Sequence, residues 1–149
     1  LRAYNNLGVL YYEMKKFKDA ENMYRKVLRL DPNYIETINN LGVLYLAMNK
    51  NNDALKLLQA SKSLVPNRVD TLYYLGIAYM SEKDWDSAQK EFRTALSLNP
   101  NNADIYDRLG ILFARKEKLE KAREAFQIAL KLNPSHQSAR TNLKRLEKK

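Results

Sequence analysis

Apolar residues fall at helical spacing in blocks separated by short polar turns. In the first block Ala3, Tyr4, Leu7, Leu10, Tyr11 and Met14 recur three and four residues apart, and Phe17, Ala20, Tyr24, Val27 and Leu28 do so again after the polar pair Lys15-Lys16. Pro32 has no amide hydrogen and forces Asp31 out of helical angles, so the second helix ends there. The alternation then returns along the chain. It predicts first helices over roughly 2–14, 36–48, 70–81 and 104–115, and second helices over roughly 18–30, 52–64, 86–98 and 120–132.

The blocks repeat residue for residue. NNLGVLY runs from Asn5 to Tyr11 and again from Asn39 to Tyr45. The four glycines are Gly8, Gly42, Gly76 and Gly110, and the four prolines are Pro32, Pro66, Pro100 and Pro134; both series step by 34 residues. A Leu precedes each Gly, and an aromatic ring follows three residues later (Tyr11, Tyr45, Tyr79, Phe113). An Ala follows at twelve (Ala20, Ala54, Ala88, Ala122), and then a large apolar residue (Tyr24, Leu58, Phe92, Phe126). A fixed period of this size means stacked units, each too small to bury its own apolar face. A helical Gly costs about 1 kcal/mol against Ala, so packing must offset it. Gly paired with the small Ala predicts the crossing point of the two antiparallel helices.

Tyr4, Leu7, Gly8, Tyr11, Ala20, Tyr24, Val27 and Pro32 resemble the signature of the tetratricopeptide repeat (TPR), and the likeness continues through Pro134. The resemblance implies an all-α TPR solenoid, a right-handed superhelix of four helix-turn-helix repeats with a concave face built from the first helices. The repeats are expected at 1–34, 35–68, 69–102 and 103–136, with a capping helix over 137–149. In the cap, Ala139, Leu143 and Leu146 form a narrow apolar stripe, and Lys144 stands where the repeats have Gly. Two departures from the family pattern matter. The turn residue that is often Gly is Lys15, Asn49, Lys83 and Glu117 here. Repeat two carries Asn51, Ser61 and Lys62 at mostly apolar positions, which predicts the loosest packing there.

A second stripe on each first helix is left over by the inward-facing signature positions. In the family this stripe lines the groove that holds partners. Carried over residue by residue, it gives Asn5, Asn6, Val9 and Tyr12 in repeat one and Asn39, Asn40 and Val43 in repeat two. Repeats three and four add Tyr73, Tyr74, Ile77, Arg108 and Ile111. Val9, Val43, Ile77 and Ile111 are β-branched throughout, which suits both a half-buried flank and an apolar groove floor. Amides at Asn6, Asn40 and Asn142 can hydrogen-bond a peptide backbone in both directions, or remain solvated. Tyr73 and Tyr74 offer large contact area at low entropic cost, or serve packing alone. A carboxylate clamp does not fit, because Asp70 stands where that clamp needs a group that attracts a carboxylate.

Composition adds mainly exclusions. The chain of 149 residues begins at Leu1, not Met, and is expected to be a piece of a longer protein. It has no Cys, and its one histidine, His136, sits in a polar junction and reads as surface. No catalytic constellation, metal-ligand spacing or phosphate-cradling loop is present, so no cofactor, metal or enzymatic role is implied. Absence of Cys does not separate cytoplasmic from periplasmic proteins, and no run of about 18 apolar residues predicts a membrane span. The net charge is +9. In the groove stripe, however, Arg2, Arg108 and Arg115 are outnumbered by Glu13, Glu36, Asp70, Asp104 and Asp107. The scattered lysines elsewhere do not form the basic stripe that nucleic acid requires, and the acidic rim favours a basic partner. The sequence therefore predicts a protein-interaction module that holds an extended or helical peptide segment. The alternatives are the recruiting arm of a larger enzyme, such as a glycosyltransferase, and a self-associating scaffold.

Overall fold

The computed structural model describes residues 1–148. Nine α-helices and no strand occur among them. They are α1 (Arg2–Glu13), α2 (Phe17–Leu30), α3 (Ile35–Ala47), α4 (Asn51–Leu64), α5 (Val69–Ser81), α6 (Trp85–Leu98), α7 (Ala103–Arg115), α8 (Leu119–Leu132) and α9 (Gln137–Glu147). The first eight form four antiparallel hairpins, and each hairpin packs against the next. The backbones of the first helices also approach one another in sequence, α1 to α3 to α5 to α7 to α9, whereas those of α2, α4, α6 and α8 stay farther apart and α4 reaches α6 only through long side chains such as Lys62. The stack therefore curves with the first helices on its inner side.

Each hairpin turn is closed in the same way. Lys15 N–H donates to the Tyr12 carbonyl and Lys16 N–H to the Tyr11 carbonyl, at 2.9 and 2.8 Å. This pair of bonds ends a helix through one residue in left-handed conformation. That residue is Lys15, Asn49, Lys83 or Glu117, with φ between 57° and 61°, where the family often has Gly. Asp84 caps α6 and Asn102 caps α7, each accepting a backbone N–H with its side chain.

The glycines meet a different partner from the one the sequence predicts. The four Ala residues are fully buried. Each Gly nevertheless lies against the large residue sixteen positions on: Gly8 against Tyr24, Gly42 against Leu58, Gly76 against Phe92 and Gly110 against Phe126. A Cβ at Gly42 would stand 2.9 Å from Leu58 Cγ. The missing side chain makes room for a ring or a branched chain from the second helix, and that side chain then fills the hairpin core.

Hairpin two does not leave its polar residues idle. Ser61 Oγ lies 3.2 Å from Thr71 Oγ1, fully buried between α4 and α5. Lys62 Nζ is 2.8 Å from both carboxylate oxygens of Glu91 on α6. The expected looseness is thus answered by polar pairing across the junction to the third hairpin. At the far end α9 covers α8 through Ala139, Leu143 and Leu146.

Candidate functional site

The inner face is built by α1, α3, α5 and α7, and the helical period brings the candidate stripe together there. Val9, Val43, Ile77 and Ile111 are each half-buried, as are Tyr12, Tyr73 and Tyr74. Val9, Ile77 and Ile111 pack on successive core clusters. The Tyr73 and Tyr74 rings meet edge to face, with centroids 5.2 Å apart. Burial, with Tyr73 and Asp70 nearby, raises the Tyr74 phenol above its ordinary pKa, so it stays an uncharged donor and acceptor.

The asparagine pair divides into two roles. Asn5 and Asn39 are buried, at 8% and 2% exposure, and the side-chain oxygen of each is bonded within the chain. Asn5 Oδ1 accepts from Thr37 Oγ1 at 2.7 Å and from Asn40 Nδ2 at 3.0 Å. Asn39 Nδ2 donates to Thr71 Oγ1 at 2.9 Å and to Asp70 at 3.4 Å. The same join recurs with other chemistry. Arg108 Nε donates to the Tyr73 hydroxyl at 3.3 Å, and Asp107 accepts from Ser138 at 2.7 Å and Asn142 at 3.2 Å. A residue on each first helix is thereby tied to the first helix that follows. The expectation that Asn5 and Asn39 line the groove gives way to this seam. Asn40 and Asn142 each commit their amide nitrogen to it. Asn6 is exposed.

The acidic rim is likewise partnered from within the chain. Asp107 is 2% exposed and lies in the seam. Arg68 grips Asp70 at 2.8 and 3.0 Å, and His136 Nε2 lies 2.9 Å from Asp104. His136 is no idle surface residue: its Nδ1 accepts from the Ala139 N–H at 3.2 Å and caps α9. A neutral ring with the proton on Nε2 satisfies both bonds at once. Burial works against the charge of Arg108, but the hydrogen bond to Tyr73, with Asp107 and Asp104 near, outweighs it and raises the guanidinium pKa.

Recesses lie along this face. One, of 460 Å³, is lined by Arg68, Asp70, Tyr73, Tyr74 and Asp104 among others. A second, of 380 Å³, lies between Ile77 and Ile111. Sequence reasoning did not place Arg68, Lys83 or Trp85 here, because they sit in or beside turns whose path the helical period does not dictate. Among the described residues, no three His, Cys, Asp or Glu side chains gather as a metal site. No helix among them is long and apolar enough to cross a membrane.

A curved stack of helical hairpins with an open inner face is an α-solenoid. Its sequence matches the tetratricopeptide repeat over residues 1–34, 23–56 and 73–137. The chain belongs to the TPR family and has the architecture of a protein-interaction scaffold. No curated protein matches it. Among solved structures it is similar to MamA, with 28% identity and a TM-score of 0.79 over 95% of this chain and 82% of that one. It is also similar to YrrB, described as a TPR protein with an unusual peptide-binding site, at 27% identity and a TM-score of 0.81 over 95% and 73% of the two chains. TTC0263, a thermophilic TPR protein of Thermus thermophilus, shares the fold at 20% identity, with a TM-score of 0.89 over 97% and 80%.

Proposed function

We propose that the chain is a non-catalytic module that holds a peptide segment of a partner protein against its inner face. In this reading four units, 1–34, 35–68, 69–102 and 103–136, supply the groove, and residues from 137 onward close the stack. The observation that carries it is the unbroken half-exposed stripe Val9, Val43, Ile77 and Ile111, flanked by Tyr12 and Tyr74. Exposed apolar area held on rigid helices is the usual ground for a peptide interface. The printed description of YrrB as a peptide binder supports the same reading. The test compares proteins retained from lysate by the wild type and by an Asn6→Ala, Tyr74→Ala variant of matched thermal stability. A protein kept by the first and lost by the second supports the groove. Equal retention by both removes the site from this face.

A second reading, self-association, has its own observation. Tyr4 and Leu10 on α1 are 43% and 50% exposed, whereas their counterparts Ile38 and Leu44 are 4% and 0% exposed beneath the preceding hairpin. This end of the stack offers an apolar face of the kind that successive hairpins bury. Sedimentation across a concentration range tests it. A mass that rises with concentration and returns to the monomer on Leu10→Glu supports association, and a constant monomer mass excludes it.

A further inference from the structure

The two halves of the inner face differ in charge once internal partners are counted. Toward α3 and α5, the two acidic side chains at the rim share one cation: Arg68 holds Asp70 and also reaches Glu36 at 3.3 Å. Toward α7 and α9 the balance is reversed. The 380 Å³ recess has Ile77, Met80 and Ile111 on its floor, and Lys83, Arg108 and Arg115 around them. Its lining contains no carboxylate. The neighbouring recess, of 210 Å³, shares Ile111 and Arg115 and adds Arg145 and Leu146, again with no carboxylate. Lys83, Arg115 and Arg145 are exposed and make no ion pair among the described residues. Arg108 is held in place by Tyr73. The result is an apolar floor with four cations along it, on rigid helices and one turn.

We propose that the α5–α7–α9 half of the groove takes an acidic, apolar peptide segment, with Asp or Glu side chains meeting Lys83, Arg108, Arg115 and Arg145 and large apolar side chains seated on Ile77, Ile111 and Leu146. This rests on the groove reading above and reverses the partner charge suggested by the sequence. The reversal follows from one distinction: a carboxylate already bonded to its own chain attracts a partner far less than an unpaired guanidinium does. Cations at an interface rim act mainly on the association rate and on salt dependence, while the apolar floor supplies contact that survives salt. A nucleic acid would use the same cations. The floor between them, however, is chiefly aliphatic, with one half-buried aromatic residue, Trp85, at the larger recess, whereas single-stranded nucleic acid stacks successive bases on several exposed aromatic faces.

The test selects short peptides from a random displayed library on the immobilised wild-type chain at low salt. Binding of the selected peptides, and of a single-stranded oligonucleotide, is then measured by fluorescence anisotropy. The wild type is compared with an Arg115→Glu, Arg145→Glu variant whose melting temperature is checked. The expected result is enrichment of Asp and Glu beside large apolar residues, with affinity about tenfold weaker in the variant and falling with salt. Enrichment of Lys and Arg, or acidic peptides indifferent to the variant, overturns this inference and leaves the groove reading standing. Oligonucleotide binding that is tighter than that of the peptides and lost in the variant overturns it in favour of nucleic acid. No enrichment of any peptide overturns both readings.

Discussion

Lys62 on α4 places its ammonium 2.8 Å from both carboxylate oxygens of Glu91 on α6. The counterparts of this pair one unit earlier are Leu28 and Leu57, which pack on a shared apolar cluster. An ion pair therefore stands at a junction that is elsewhere aliphatic. The two partners are unequally covered: the Glu91 side chain is 7% exposed and that of Lys62 is 35% exposed. Lys62→Leu leaves a covered carboxylate without its cation and is expected to cost about 3 kcal/mol. Glu91→Leu leaves an ammonium that can swing toward water, and is expected to cost less, about 1 kcal/mol. The double variant restores the aliphatic pair and is expected within about 1 kcal/mol of wild type. Urea denaturation of the three variants checks the order; equal losses in both single variants would contradict it.

Adjacent asparagines in the recurring NNLG stretch are expected to respond oppositely. Asn39→Ala removes partners from buried Thr71 and from Asp70, and should destabilise by about 1–3 kcal/mol. Asn6→Ala touches an exposed amide and should shift stability by less than about 0.5 kcal/mol. Asn40→Ala should fall between them, since its amide nitrogen bonds Asn5. Thermal melts of the three proteins decide this. A silent Asn39→Ala would remove the seam from the account of stability.

The helices were readable from the sequence because their causes are local. The observed ends of α1 to α8 lie within a residue or two of those given by apolar spacing, Gly and Pro. The division of labour within NN was not readable. Consecutive helical residues point about 100° apart, so which one faces the neighbouring unit depends on the rotation between hairpins. The same reason hid Tyr24, not Ala20, opposite Gly8, and Glu91 opposite Lys62. His136 looked like surface because only the folded junction brings Asp104 to its ring. The apolar groove stripe was legible as a periodic pattern. Its charge was not, because counting side chains does not show which are already paired.

The left-handed turn residues offer a gain. Lys15, Lys83 and Glu117 hold φ near 60° with a Cβ, a conformation that costs an L-residue about 1 kcal/mol relative to Gly. Part of that is returned as the greater flexibility of Gly in the unfolded chain. Lys83→Gly and Glu117→Gly are each expected to raise stability by about 0.5 kcal/mol. Asn49→Gly should gain less, because Asn tolerates this region. Calorimetric melting of the single variants provides the check, and a lowered melting temperature for Lys83→Gly would show that its side chain contributes more than its backbone strain costs.

Tyr24 ties stability to alkaline pH. It fills the space left by Gly8 and is 2% exposed, and burial pushes its phenol up to about 12 from an ordinary value near 10. Burial disfavours the charged form, so the folded state holds the proton more tightly than the unfolded state. The resulting stability is complete below pH about 10 and is lost as pH rises toward about 12, because the unfolded chain there gains by ionising first. Phe92 and Phe126 occupy the equivalent position in later units, so Tyr24→Phe fits the same space. At neutral pH the variant is expected within about 0.5 kcal/mol of wild type. Other tyrosines and the lysines titrate in the same range in both proteins, so the informative quantity is the difference between the two. That difference should grow in favour of Tyr24→Phe between pH about 10 and about 12, measured as urea midpoints at fixed ionic strength. A difference that stays flat across that window would mean that the Tyr24 hydroxyl reaches water as readily in the folded chain as in the unfolded one.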